Sequence, residues 1–375
     1  MGALNLQDNE KLVILWASGN ISSQFLKEWP IQKAINESKL AALLTSEKVL
    51  SNLNWIKWLT INKIIEPKSK EERRDVINSK WCYNYQNKWW IIGEIEYLEW
   101  KWIKPVIIDL SNWDLTEEHK YLIENWHKVI WANKIPLATS SFEDFQSMVW
   151  KNYWAESTVM WGQWIYWAVE SNFNAWIEIQ QIEWVFSGTM WYIMSELEKW
   201  RKFSDIIKEA IELKYTETNP MDDLDWLDVA KKIVILARRA GNNISIEDVE
   251  INWLLDDSYR EFFNEWVTEE SIQAFLEKIK KEEDPKYEEL VKKAKEDKKV
   301  LRYLAQFVNE DWQLKTGVNI QEVLKSSQLW WLSWPANIAT MQTSIQTSTI
   351  IWPWAGVEVT SSNVLKNLYQ ILNNR

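Results

Sequence analysis

Two stretches of this chain carry residue types that could do chemistry, at spacings that chemistry needs. In "YTETNPMDDLDWLDVAKK" (215–232), Asp228 and Lys232 stand four apart, so on a helix they share a face and can pair. Asp222, Asp223 and Asp225 crowd the helix start, where the dipole favours carboxylates, and Glu217 precedes them in a loop. An N-cap cluster plus one ordinary ion pair would show the same spacing. Against that plainer reading, Lys232 lies among Leu224, Leu227, Ile233, Val234, Leu236 and Ala237, and a partly buried ammonium is costly without a partner or a task. Several acids and one lysine suit a substrate with an amino group and an oxygen that gains or loses a proton.

The second stretch is "KLVILWASGNISSQFL" (11–26), an apolar strand running into turn residues and then a helix. With glycine at position 16 it would read G-x-x-G-x-x-S, a variant of the dinucleotide fingerprint. The first position makes the turn, Gly19 lets a pyrophosphate approach, and Ser22 takes the place where helix packs on strand. Trp16, Ala17, Ser18, Gly19, Asn20 and Ile21 are then the expected cofactor contacts. Beyond the second strand come Thr45, Ser46, Glu47 and Lys48. Ser46 and Lys48 could receive a 2′-phosphate and slightly favour NADP over NAD, while Glu47 could point either way.

The indole at position 16 belongs to a wider anomaly: the chain has 30 Trp and only 8 Gly. Trp126 and Trp200 follow predicted helices directly, where a C-terminal glycine belongs. Trp312 holds the second place of an Asp-centred hairpin turn, and Trp352 and Trp354 bracket Pro353 before the last helix. A codon reassignment would explain this, since UGA is one base from the glycine codon GGA and some genetic codes read it as glycine. Counted as glycine, these positions would bring that residue to about one in ten, ordinary for a nucleotide-binding enzyme. The alternative is a chain whose tryptophans are real.

The elements that must position these residues follow from hydrophobic patterning. Strands at 11–16, 39–46, 104–111 and 127–132 alternate with helices, which implies a parallel sheet with right-handed crossovers. The expected fold is therefore α/β, with a Rossmann-type parallel-sheet nucleotide-binding domain and a second, α+β domain. The first would span 1–150, completed by 341–375, and the second 151–340. In the second, a strand within 176–188 precedes three helices, followed by strands at 299–308 and within 336–352. The run "EKIKKEEDPKYEELVKKAKEDKK" (277–299) alternates charge sign and reads as a solvated helical face.

A net charge of −11 argues against a nucleic-acid partner. Cys82 is the only cysteine and His119 and His127 the only histidines, which excludes an intrachain disulfide and thiolate-cluster or histidine-rich metal sites. No apolar run approaches the ~20 residues of a membrane span, and the N-terminus lacks a signal-peptide layout. The expectation is a cytoplasmic protein with no membrane association.

"WANKIPLA", "ESTVMWGQWI", "IEWVFSGTMWYI", "YTETNPMDDLDWLDVAKK" and "WPWAGVEVT" occur in an order that resembles the homoserine dehydrogenases. The resemblance runs from the first strand to the last helix. The family has glycine at several of the tryptophans, including the one before "LDVA". The resemblance implies NAD(P)-dependent interconversion of L-homoserine and L-aspartate 4-semialdehyde, in threonine and methionine biosynthesis, by a homodimer whose second domain carries catalysis and dimerisation. It places the proton donor on Lys232 and substrate-binding acids on Glu217, Asp223 and Asp228. It gives Lys134, of the "NK" pair, a cofactor and proton-transfer role. Ser111 and Gly356 become cofactor contacts, and a structural sodium ion falls to the loop matching Glu156, Val159, Trp161 and Gln163, mostly through carbonyl oxygens. Lys214, beside the substrate, stands where the family commonly has glycine. Two rivals remain at this point. Aspartate-semialdehyde dehydrogenase chemistry would need Cys82 as nucleophile, and real tryptophans would leave a catalytically inactive nucleotide-fold binding protein.

Overall fold

The computed structural model describes residues 4–15, 20–44, 48–51, 83–84, 90–149, 153–159, 165–185, 188–213, 215–216, 219–221, 227–252, 254–263, 267–310, 313–327, 329, 336–353 and 357–373. The chain divides into two units, one of Met1–Ala168 with Ala355–Arg375 and one of Val169–Trp354. The domain ends expected from sequence, at 150 and 340, lie short of these divisions.

The first unit is built on a seven-stranded sheet in the order β4-β3-β2-β1-β5-β6-β7. The strands are β1 (Glu10–Leu15), β2 (Leu40–Leu44), β3 (Lys48–Ser51), β4 (Tyr83–Asn84), β5 (Lys104–Asp109), β6 (Lys128–Trp131) and β7 (Tyr153–Trp154). The pairs β1–β2, β1–β5 and β5–β6 are parallel, as the alternating pattern predicts, and so is β6–β7, a strand the pattern did not announce. The edge strands β3 and β4 run antiparallel, an addition the alternation did not announce. The central strands are continuous apolar runs because both faces are covered. Leu12, Ile14, Val106, Ile108 and Ile130 pack against Phe25, Leu26, Ile31 and Ile35 of the two helices that join β1 to β2. The C-terminal helix, Val357–Asn373, returns to this same core through Val364, Leu365, Leu368 and Ile371.

The second unit holds a six-stranded sheet in the order β13-β12-β8-β10-β11-β9. Its strands are β8 (Ile179–Val185), β9 (Glu250–Ile251), β10 (Lys299–Glu310), β11 (Gln313–Leu324), β12 (Ala336–Thr343) and β13 (Thr347–Pro353). All its pairs are antiparallel except β11–β9. Helices Gly188–Glu198, Phe203–Glu212 and Leu227–Arg239 follow β8 as expected. The charged run is two helices, Glu269–Glu282 and Asp284–Glu296, divided where Pro285 cannot continue the first. It is solvated on one side only. Phe275, Ile279, Tyr287, Val291 and Ala294 are buried, and Asp284 accepts the Ser204 N–H and hydroxyl at 2.8 Å each, capping helix Phe203–Glu212.

Among the described residues, seven helix ends are followed by a left-handed residue, and five of these have Trp or Gly there. The helices ending at Trp100, Glu124, Asn174, Glu198 and Arg239 are each followed two residues later by a left-handed residue. These are Trp102, Trp126, Trp176, Trp200 and Gly241, at φ 62, 63, 60, 65 and 90°. Each donates its N–H back three residues, and at 102, 126, 176 and 241 the next N–H reaches back five, the hydrogen-bond pattern of the Schellman cap. Ser38 and Lys298 adopt the same backbone. The four indoles project into solvent, Trp176 at 95% exposure. Trp131 and Trp184 differ, being fully buried.

Candidate functional site

In the first unit the chain leaves β1 with β2 on one side and β5 on the other, the switch point beyond whose carboxyl edge nucleotides bind in such sheets. Leu15 pairs with Asp109, and Asp109 with Trp131, so the ends of β1, β5 and β6 lie side by side. Helix Asn20–Lys27 begins shortly after β1, and Ser22 is 0% exposed. A small residue there permits the close helix-on-strand packing that the fingerprint's third place requires. Asn20 is exposed and Ile21 half-buried.

Polar side chains gather at the same edge. Asp109 is fully buried, and its Oδ1 accepts the Ser111 N–H at 2.8 Å. The Asn133 amide group lies 3.1 Å from Asp109 Oδ2, 3.1 Å from Ser111 Oγ and 2.7 Å from the Trp113 carbonyl. Its Oδ1 accepts the Ile135 N–H at 3.1 Å, at the start of helix Ile135–Thr139, for which Lys134 is the N-cap. Behind Asp109, His119 places Nε2 3.0 Å from Oδ2, with its ring 3.8 Å from that of Trp131. Burial pushes the Asp109 carboxyl up, but the His119 contact and the Ser111 hydrogen bonds outweigh it and hold the group below the usual carboxylate range. Ser111 and Lys134, which the family resemblance singled out separately, are thus joined through Asn133.

In the second unit, Lys232 is 3% exposed on helix Leu227–Arg239, with Ile233, Val234, Leu236 and Ala237 fully buried around it. Its Nζ lies 2.7 Å from Asp228 Oδ2, and the Asp228 side chain is 53% exposed. The i,i+4 pairing read from the spacing is therefore made. Leu227, expected on the buried surface, is exposed at the helix start. Two contacts are made in the described part of the loop before the helix. The Tyr215 carbonyl accepts the Thr189 hydroxyl at 2.6 Å, and Asn219 Oδ1 accepts the Met221 N–H at 3.0 Å.

Of the expected sodium loop, Glu156 is buried and its Oε2 meets Lys366 Nζ of the C-terminal helix at 2.6 Å. Ser157 reaches Asn367 beside it. The Glu156 carboxylate is thus engaged by an ammonium. Val159 is fully buried. Among the described residues, no group of three or more His, Cys, Asp or Glu is arranged to hold a metal ion. Trp16, Ala17, Ser18, Gly19, Cys82, Trp161, Gln163, Lys214, Glu217, Asp223 and Gly356 lie outside the described residues.

Sequence reasoning passed over Asp109, His119, Asn133 and Lys366. Asp109 had a readable signal, an acid closing the apolar strand "VIID". Asn133 stood within the quoted "NK" pair without being given a task.

The chain matches the homoserine dehydrogenase family over residues 168–369. It is 31% identical over 203 residues to the chloroplastic bifunctional aspartokinase/homoserine dehydrogenase 2 of Zea mays, a match covering 52% of this chain and 20% of that one. Against the homoserine dehydrogenase of Saccharomyces cerevisiae it is 31% identical over 202 residues, covering 52% of this chain and 53% of the yeast protein. The match thus spans about a fifth of the bifunctional relative and about half of the yeast one. In fold it resembles a hyperthermophilic archaeal homoserine dehydrogenase in complex with NADPH, with a TM-score of 0.64 at 17% identity, over 95% of this chain and 96% of that one.

Proposed function

The chain belongs to the homoserine dehydrogenase family, and from that premise we propose that it interconverts L-homoserine and L-aspartate 4-semialdehyde with NADP or NAD. The observation that carries this is Lys232, an ammonium in the apolar body of a helix, satisfied by the half-exposed Asp228. A buried lysine beside an accessible carboxylate is equipped to give a proton to an oxygen and to take it back.

The carboxyl edge of the first unit's sheet fits a dinucleotide. It offers the switch point at β1, a buried Ser22 at the helix, and Ser111 and Lys134 on neighbouring strand ends. When bound, the nicotinamide supplies or accepts hydride at C4 of the substrate. As the aldehyde becomes an alcohol, Lys232 Nζ gives its proton to the developing alkoxide, and in the oxidative direction Nζ accepts the hydroxyl proton. Asp228 orients Nζ, while Glu217 and Asp223 hold the substrate's ammonium group and Lys214 lies beside it. Lys134 stands at the cofactor end with Ser111, and residues 16–21 and Gly356 complete the nucleotide contacts. Lys48 opens β3 directly after Thr45, Ser46 and Glu47, which favours NADP. A sodium ion on the carbonyls of the Glu156, Val159, Trp161 and Gln163 loop, a homodimer and a cytoplasmic location complete the reading. No helix among the described residues is long and apolar enough to cross a membrane.

The reading includes glycine at most or all of the 30 tryptophan positions. Four left-handed helix caps occupied by exposed indoles support it, since that backbone favours glycine and Gly241 adopts it, as do the non-glycine Ser38 and Lys298. The intact mass of protein from its native source tests this. Glycine gives a mass well below that of the tryptophan chain, and a mass equal to it rejects the idea. Real tryptophans would favour the second reading, an inactive nucleotide-fold binding protein, because an indole at position 16 blocks the turn. Turnover of aspartate 4-semialdehyde by the glycine chain, absent in Lys232→Met, tests the reaction.

A further inference from the structure

We propose that Asp109 and Asn133 form a clasp that fixes Ser111 and Lys134 relative to each other, making Asn133 a positioning residue of the hydride-transfer site. The inference rests on the dehydrogenase reading above, but its evidence is the packing of the strand ends. One amide nitrogen, on a side chain 2% exposed, shares its two N–H groups among three oxygens at the end of β5 and just after it: Asp109 Oδ2, Ser111 Oγ and the Trp113 carbonyl. The same side chain turns its oxygen to the Ile135 N–H, so the main chain on both sides of Lys134 is tied down.

Asp109 in turn fixes the main chain of Ser111 through Oδ1 and is backed by His119. The main chain closes the clasp, since the Ala132 N–H reaches the Asp109 carbonyl at 2.9 Å. Contacts at both ends of the Asn133 carboxamide hold it against rotation. Neither Asp109 nor Asn133 need touch a substrate for this. Asn133 connects Ser111 on one strand end to Lys134 on the next, and its loss lets the two drift independently.

The test is a mutant cycle in the glycine chain. Asn133→Ala should weaken NADPH binding, followed by nicotinamide fluorescence, and lower kcat, each by about tenfold, the size of a lost buried hydrogen-bond set. The KM for aspartate 4-semialdehyde should stay unchanged. In a Ser111→Ala/Lys134→Met background the same substitution should cost less than about twofold in NADPH affinity, because the groups it positions are gone. A further tenfold loss in that background would show that Asn133 acts through general stability, and would overturn the proposal. So would an unchanged NADPH affinity in the single variant. If Asn133→Ala does not fold, Asn133→Ser keeps a short hydrogen-bonding side chain and is read in the same cycle. A parent chain that binds NADPH but does not turn over rejects the reaction and leaves the binding arm decisive. A parent that does not bind NADPH rejects both.

Discussion

Two buried charges, one in each unit, are held in opposite ways. Asp109 is enclosed: the Ser111 N–H and the Asn133 amide hydrogen-bond its carboxylate, His119 Nε2 lies 3.0 Å from it, and none of it reaches solvent. Lys232 is also enclosed, but the carboxylate at 2.7 Å from its ammonium is half exposed. A charge surrounded on every side holds structure in place. A charge whose partner faces outward can exchange that partner for a substrate, and this is why the two sites receive different roles.

Substitutions at these two sites can break or sharpen the contrast. The largest effect is expected at Lys232: Lys232→Met should lower kcat by about a thousandfold, within the range for a lost acid–base group. Its melting temperature should fall little, because a methionine fills the apolar site. Asp228→Asn retains a hydrogen bond to Nζ and should cost less, about ten- to thirtyfold in kcat. Steady-state kinetics with thermal melts checks both, and equal loss of activity and stability would erase the distinction. Asp109→Asn should show the reverse pattern, with stability falling by about 2–3 kcal/mol while substrate KM holds.

The acid limb supplies a second check on Asp109. Its folded pKa is depressed, so its stabilisation is complete above the unfolded value of about 3.9 and is lost as pH falls through the folded value. Denaturant melts of the parent should therefore weaken steeply below about pH 4, and Asp109→Asn should flatten that limb. An unchanged limb would mean that the carboxylate is not held as described.

A smaller comparison sits at the helix ends. Gly241 and Trp176 have the same cap geometry, yet a side chain at 241 would begin 2.5 Å from Phe173. Gly241→Ala should destabilise by about 1–2 kcal/mol, whereas Trp176→Gly should stabilise by about 1 kcal/mol, since the left-handed region penalises every residue but glycine. Opposite signs in denaturant melts would support glycine as the natural occupant of position 176. Equal signs would remove that support.

Most of the fold was legible because it rests on apolar runs. "LVIL", "LAALL" and "PVIID" had to be strands covered on both faces, and the alternation with helices required a parallel arrangement. The antiparallel β3 and β4 were not legible, since "KVLS" is too short to set a direction by pattern. At the site, Asp228 and Lys232 could be read because four residues of helix bring them together whatever the tertiary structure does. The contacts of Asn133 with Ser111 and of Lys366 with Glu156 could not, because they join residues 22 and 210 apart and depend on how strands and helices pack.

The central proposal is that this chain, with glycine at most or all of its tryptophan positions, has homoserine dehydrogenase activity. The direct measurement is oxidation of NADPH on addition of L-aspartate 4-semialdehyde, followed side by side for the glycine chain, the tryptophan chain and the Lys232→Met variant of the former. The account predicts turnover by the first, none by the second, which carries an indole where the fingerprint calls for glycine, and near-complete loss in the third. No turnover by the glycine chain, or undiminished turnover without Lys232, would contradict it.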